Sequence, residues 1–230
     1  MERGGAAVCT EDKKRMKGAI FDVDGTLIDS MDMWMHFGSS FVRSYGIAAD
    51  DSLDLEIRYY SLRTLAERFS HDYPVMGSAD DIEAECRRRT EDFYFNKVQI
   101  KPGVRGLLEE LRSRGVKMYL ATATYRVLVE KALRRLGIWD MFEGILTCSD
   151  VGAGKDKPDI FKAALAALGT DVGDTWVFED AMHAMLTAKS LGLRVCGVYD
   201  ATESDHTDEI KKICDIYVDS FTKLDTSRLV

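Results

Sequence analysis

From residue 101 onward, short apolar runs alternate with helical stretches, and nearly every helix closes on a glycine. A helical pattern from Val104 to Arg114 stops at Gly115 and is followed by the apolar run Val116 to Ala121. A second runs from about Val127 to Leu136, closes at Gly137 and precedes the strand Gly144 to Thr147. Pro158 opens a third helix, which Gly169 closes before the strand Trp176 to Phe178. The helix Ala181 to Leu191, ended by Gly192, and the strand Val195 to Val198 complete the series. Glycine suits such ends because a helix often terminates in a left-handed residue. Strands alternating with helices of this length predict a parallel α/β sheet, Rossmann-like, covered on both faces.

The first strand stands apart. Gly18-Ala19-Ile20-Phe21 runs straight into Asp22-Val23-Asp24-Gly25-Thr26. Residues 31 to about 98 then break the rhythm with amphipathic helical patterns, Leu62, Leu65, Ala66 and Phe69 on one face and Ile82, Cys86 and Phe93 on another. Ser78 is placed to cap the second of these helices, with Asp81 three residues on. The expected organisation is a disordered tail at 1–16, an α/β core from 17–30 and 99–230, and a helical cap domain inserted at 31–98.

Ligands of a parallel sheet sit outside the carboxyl ends of its strands. Polar groups gather at several such ends here: Asp22 and Asp24, Thr122 with the backbone N–H of Ala123, and Glu179 with Asp180. A carboxylate beside a buried strand is costly unless a cation offsets it. Hard oxygen donors from two strand ends suit Mg²⁺, which takes one or two carboxylates and keeps waters and substrate phosphate for the rest. Each pair has a plainer reading, since Asp180 can cap the following helix and Thr122 can belong to an ordinary turn.

Composition narrows the partners. A net charge of −8 repels nucleic acid and anionic membrane surfaces. The five cysteines (Cys9, Cys86, Cys148, Cys196 and Cys214) form no CxxC pair, which argues against a zinc site or a disulfide framework and for reduced thiols in the cytoplasm. The N-terminal residues lack the apolar run of a secretory signal, and no later stretch has the length of a membrane span. A monomer or weak dimer acting on a small substrate is expected.

In order along the chain, Phe21-Asp22-Val23-Asp24-Gly25-Thr26-Leu27, Leu120-Ala121-Thr122-Ala123-Thr124, Gly154-Lys155-Asp156-Lys157-Pro158-Asp159-Ile160-Phe161 and Val177-Phe178-Glu179-Asp180 resemble the four motifs of the haloacid dehalogenase superfamily. The resemblance is nearest to its phosphoglycolate phosphatase and β-phosphoglucomutase branch and spans residues 17 to about 224. It implies an Mg²⁺-dependent phosphatase that works on a small phosphorylated metabolite through an aspartyl-phosphate. Asp22 then matches the nucleophile and Asp24 the general acid/base. Thr122 and Ala123 match the phosphate-binding segment. Asp180 matches a metal ligand together with Asp22 and the backbone carbonyl of Asp24, with Glu179 in support. Aligning Pro158-Asp159-Ile160-Phe161 makes Lys155 the phosphate lysine, whereas the simple Lys-Pro pair would make it Lys157.

The nearest alternative is a phosphomutase of the β-phosphoglucomutase type. Trp34 stands where those mutases carry a cap histidine, and Gly25-Thr26 replaces their Gly-Val, which favours hydrolysis. A signalling receiver has about half this length and no insertion. Met31, Met33, Trp34, Tyr59, Tyr60 and Arg63 are the candidate specificity residues of the cap.

Overall fold

The computed structural model describes residues 16–57 and 62–229. Residues 1–15 of the expected 1–16 tail, and with them Cys9, lie outside the described residues, as do Tyr59 and Tyr60; Met16 is instead buried in the sheet core, because it packs with the apolar residues around β1.

The chain begins with β1 (Gly18–Phe21) and passes through α1 (Met31–Met35), α2 (Phe37–Arg43), α3 (Ser52–Ile57), α4 (Leu62–Asp72) and α5 (Ala79–Asp92). One turn of π-helix, Phe93–Lys97, follows. The alternation then runs α6 (Val104–Ser113), β2 (Lys117–Thr122), α7 (Arg126–Arg135), β3 (Gly144–Thr147), the short α8 (Cys148–Val151), α9 (Asp159–Leu168), β4 (Thr175–Glu179), α10 (Met182–Ser190) and β5 (Arg194–Val198). It ends with α11 (Thr207–Ile213) and β6 (Ile216–Val218), which the sequence reading did not anticipate. Pro158 is the residue before α9 rather than its first residue.

Every strand pairing is parallel, in the order β3-β2-β1-β4-β5-β6. The fold class is therefore the expected Rossmann-like α/β sheet. Strand alternation divides the core in two. Ala19, Phe21, Met118, Leu120, Trp176 and Phe178 face α6 and α7, where Leu107, Leu108, Leu111, Val129 and Leu133 meet them. Ile20, Ala121, Val177 and Val195 face α9, α10 and α11, meeting Ile160, Phe161, Met185, Ala188 and Ile210. At the centre the rings of Phe21 and Phe178 stack at 4.3 Å across the β1–β4 pair.

Between β1 and α6 the described residues hold no strand. Their helices close around a separate core that includes Phe37, Phe41, Leu65, Ala66, Phe69, Ile82 and Cys86. Ser78 caps α5 as expected, accepting from the Asp81 N–H at 3.2 Å. One detail differs. Phe93 is only half-buried, and Tyr94 is the residue turned fully inward. Tyr94 continues the i+4 row of Ile82, Cys86 and Thr90, the buried residues of α5. In a straight α-helix such a row drifts by about 40° per step. The π turn, closed by the Val98 N–H on the Phe93 carbonyl at 2.9 Å, winds less per residue and offsets part of that drift.

The segments entering and leaving this helical stretch are laced together. Asp29 N–H donates to the Gln99 carbonyl and Lys101 N–H to the Leu27 carbonyl, each at 2.9 Å. The helices thus hang from one narrow stem beside the end of β1.

Phe178→Ala removes one ring of the central stack and leaves a cavity between the sheet and α6. We expect a loss of about 3–5 kcal/mol in urea unfolding. A loss below about 1 kcal/mol would mean that the sheet centre collapses readily around the gap.

Candidate active site

With β1 and β4 side by side, the strand order reverses between them, and the crevice at such a reversal opens at the carboxyl ends. Asp22 follows β1 there, its N–H still donating to the Phe178 carbonyl at 2.9 Å, while Glu179 is the last residue of β4 and Asp180 comes next. The chain folds back at once after Asp22, because Leu27 and Ile28 N–H both return to the Val23 carbonyl, at 2.8 and 3.0 Å. Gly25 takes φ +85° in this turn, and a Cβ on it would lie 2.3 Å from Asp180 Oδ2. Only glycine lets the turn come this close. Thr26 Oγ1 then donates to Asp180 Oδ1 at 2.8 Å.

Asp22, Glu179 and Asp180 are all buried, and they offer oxygens lying within 4.8 Å of one another. Lys155, itself buried, inserts its ammonium between Asp22 Oδ1 and Glu179 Oε2, at 2.9 Å from the latter. Lys157 stays outside, exposed, its ammonium 4.0 Å from Asp156 Oδ2. The geometry therefore brings Lys155 into the cluster and leaves Lys157 out. Thr122 ends β2, fully buried, and its Oγ1 accepts from the Thr124 N–H at 3.0 Å; Ala123 beside it is exposed.

Asp24 is held differently. Its Oδ1 accepts from Ser30 Oγ at 2.6 Å and from the Tyr94 hydroxyl. The Tyr94 oxygen in turn accepts from Trp34 Nε1 at 2.9 Å. Lys101 braces the same turn from behind, donating to the Gly25 and Tyr199 carbonyls at 2.6 and 3.0 Å and to Asp200 Oδ2 at 2.9 Å.

Burial dominates the electrostatics. It raises the Glu179 carboxyl, with the Asp22 charge adding to it and Lys155 opposing, up to about 8. Asp180 is pushed well above the carboxylate range by burial and then by Asp22 and Glu179. Burial and the Asp22 charge also raise Asp24, against the hydroxyls of Ser30, Tyr94 and Thr124. For Lys155 burial acts against the charge, but Asp22 and Glu179 outweigh it and hold the ammonium above its ordinary range. Three buried carboxylates thus share one ammonium, and Asp22 Oδ2 and Asp24 Oδ2 are buried with no hydrogen-bond partner. Unmatched negative charge of this density is strongly unfavourable. An all-oxygen donor set, with an orphaned carboxylate oxygen in it, fits a hard divalent cation.

Thr26, Ser30, Tyr94 and Lys101 escaped the sequence reading. Thr26 and Ser30 lie in the turn already singled out, and Tyr94 lies on the i+4 row of α5, so each carried a readable signal. Lys101 carried none beyond its place before Pro102. Of the proposed specificity residues, Met31 packs against Gly25, while Met33 and Trp34 pack half-buried on the sheet core. Arg63 is engaged with Glu67 at 2.8 Å and Asp80 at 2.6 Å.

A family model described as haloacid dehalogenase-like hydrolase matches residues 19–198. The validoxylamine A 7'-phosphate phosphatase of Streptomyces hygroscopicus subsp. limoneus is 30% identical over 184 residues, which is 79% of this chain and 85% of that protein. The beta-phosphoglucomutase of Bacillus subtilis is 29% identical over 205 residues, covering 80% and 83%. A solved structure of CbbY from Rhodobacter sphaeroides, in complex with phosphate, superposes with a TM-score of 0.71 at 22% identity, over 93% of this chain and 99% of that one. At that identity the likeness is one of fold.

Divalent cation should stabilise the protein, by about 2.7 kcal/mol when present at a hundred times its dissociation constant. Melting curves with cation and with chelator measure this. Asp180→Asn should abolish the shift while leaving the chelated protein at least as stable as wild type. A shift of undiminished size in that variant would put the ion elsewhere.

Proposed function

This chain belongs to the haloacid dehalogenase-like hydrolase family, and we propose that within it the protein is an Mg²⁺-dependent phosphatase of small phosphorylated metabolites, sugar phosphates first among them. The observation that carries the proposal is the state of Asp22. One of its oxygens is fastened by Lys155, and the other is buried at the carboxyl edge of the sheet without a partner. A carboxylate oriented in this way is suited to attack phosphorus and form an acyl phosphate.

The remaining residues take roles that their surroundings support. Burial and the Asp22 charge favour the protonated form of Asp24, as a general acid for the leaving oxygen requires. The same group then accepts a proton from the water that cleaves the aspartyl-phosphate. Lys155 offsets the repulsion between the Asp22 carboxylate and the incoming phosphoryl group. Thr122 and the backbone of Ala123 flank the phosphate. Asp22, Asp180 and the Asp24 carbonyl would hold Mg²⁺, with Glu179 supporting it. The metal's chemistry there is to neutralise charge on the phosphoryl oxygens. Hard oxygen donors, without nitrogen or sulfur among them, favour magnesium over softer ions.

Residues 31–98 act as a cap over this edge in the same reading, supported by Trp34 and Tyr94 from its two ends, which bond to each other while Tyr94 reaches Asp24. Relatives named for a 7'-phosphate phosphatase and for beta-phosphoglucomutase support phosphorylated carbohydrates as substrates. Hydrolysis is favoured over phosphomutase chemistry because Trp34, at the place of the mutase histidine, offers no imidazole and its N–H is spent on Tyr94. Among the described residues no helix is long and apolar enough to cross a membrane, and Cys86, Cys148, Cys196 and Cys214 are free thiols. A cytoplasmic enzyme, monomeric or weakly dimeric, accords with this.

Phosphate release from a panel of sugar phosphates and other small phosphomonoesters, with Mg²⁺ and with chelator, tests the proposal. We expect magnesium-dependent release concentrated on one or two compounds. Asp22→Asn should lower it by about 10³-fold or more with the melting curve retained. Wild-type-like turnover in that variant would refute the nucleophile assignment. Turnover of a sugar monophosphate only after adding its bisphosphate, without phosphate release, would instead identify a mutase.

A further inference from the structure

We propose that Tyr94, together with Ser30, is a positioning residue that decides which oxygen of Asp24 carries the transferable proton; the inference rests on the phosphatase reading. A carboxylate oxygen has two lone pairs in its plane, and a protonated carboxyl keeps its hydrogen on one oxygen only. At Asp24 Oδ1 both positions are taken by donors, Ser30 Oγ at 2.6 Å and the Tyr94 hydroxyl. Oδ2 is buried and without a partner. When Asp24 is protonated, a hydrogen on Oδ1 would require one of these hydroxyls to give up its bond, so Oδ2 is the oxygen left to carry it.

The donor role of Tyr94 is itself enforced. Its oxygen accepts from the Trp34 indole N–H at 2.9 Å, and indole nitrogen can only donate. With that position occupied, the phenolic hydrogen is directed to Asp24. The side chain is fully buried, and its ring packs edge-on against Phe93 at 5.7 Å. Burial and the neighbouring Asp24 charge hold the phenol well above its usual range, so it remains a neutral donor. Trp34, Tyr94 and Asp24 thus form a one-way chain of hydrogen bonds from the helical region to the end of β1.

The consequence for the reaction is specific. As the bond from Asp22 oxygen to phosphorus forms and the ester P–O bond breaks, the electron pair goes to the leaving oxygen, which takes the proton from Asp24 Oδ2. Water then attacks phosphorus, the Asp22–phosphorus bond breaks, and the water proton returns to the same oxygen. Loss of one Oδ1 donor would let the hydrogen occupy Oδ1 or the carboxyl rotate, and proton delivery would suffer. Formation of the bond to Asp22 would not.

Leaving-group dependence separates these effects. p-Nitrophenyl phosphate releases an oxygen stable enough to depart without a proton, whereas phenyl phosphate, of nearly the same shape, gains from acid assistance. General acid help is worth on the order of 10²–10⁴-fold. For Tyr94→Phe we expect kcat/KM with phenyl phosphate to fall by about tenfold or more and with p-nitrophenyl phosphate by less than about twofold, part of that range. Ser30→Ala should show the same signature and serves if the first variant folds poorly. An equal fall with both substrates, in either folded variant, means a merely structural role and overturns the inference. Unchanged kinetics in both variants overturns it as well. A wild type that hydrolyses neither compound nor any member of the metabolite panel removes the phosphatase reading itself, and the inference with it.

Discussion

Three carboxylates and one ammonium, all buried at the end of β1, form an arrangement that folding by itself opposes. Burial denies these groups most of the solvation that would repay their desolvation, and one lysine cannot match three acids. The rest of the molecule is arranged to hold them there regardless. β1 and β4 lie at the centre of a sheet clad on both faces, so their ends have little freedom to move apart. Lys155 binds the two strand ends directly, through Asp22 and Glu179. Removing the lysine would leave the acids with no compensation, whereas adding a cation would relieve them. A site that is electrostatically strained when empty has a built-in affinity for what fills it.

Much of this was legible in the chain because the physics acting on it is local. The glycines that close α6, α7, α9 and α10 and the apolar runs after them mark helix and strand whatever lies around them. Asp22 and Asp24 were visible because two acids directly after a buried strand are costly without a purpose. Ser78 was visible because a cap needs only its own helix. What was not legible depends on tertiary contact. Strand β6, of three residues, exists because the edge of β5 is there to pair with it. Phe93 and Tyr94 are chemically similar neighbours; the i+4 row of α5 points to Tyr94, but its bond to Asp24 depends on the turn after β1. Lys155 and Lys157 are likewise equivalent on paper; the loop after α8 buries one and exposes the other.

Residues 31–97 present a different balance. Their helices bury their own apolar core and meet the sheet domain through the paired segments around Asp29 and Gln99, through the Tyr94 hydroxyl on Asp24, and through Met33, Trp34, Phe93 and Phe95 packed on the sheet core. Most of their ion pairs are exposed, such as Arg63 with Asp80 and Arg87 with Glu83, and pairs of that kind contribute about 0–1 kcal/mol each. The helical region thus owes its own folding mainly to apolar burial. Burial also joins it to the sheet domain, with polar contacts added, one of which ends on Asp24.

Gly25 shows how closely the two acidic strand ends depend on each other. Its positive φ turns the chain immediately after Asp24, and the missing Cβ leaves the space that Asp180 Oδ2 occupies. The neighbouring Thr26 hydroxyl fastens the other oxygen of the same carboxylate. Lys101 donates to the Gly25 carbonyl and reaches Asp200 just beyond β5, so the turn is gripped from both sides. A side chain at position 25 would force Asp180 away from Asp22, and the three acids would no longer converge. The turn that displays the nucleophile and the strand end that completes the cation site are therefore one structural unit, although 154 residues separate Thr26 from Asp180 in sequence.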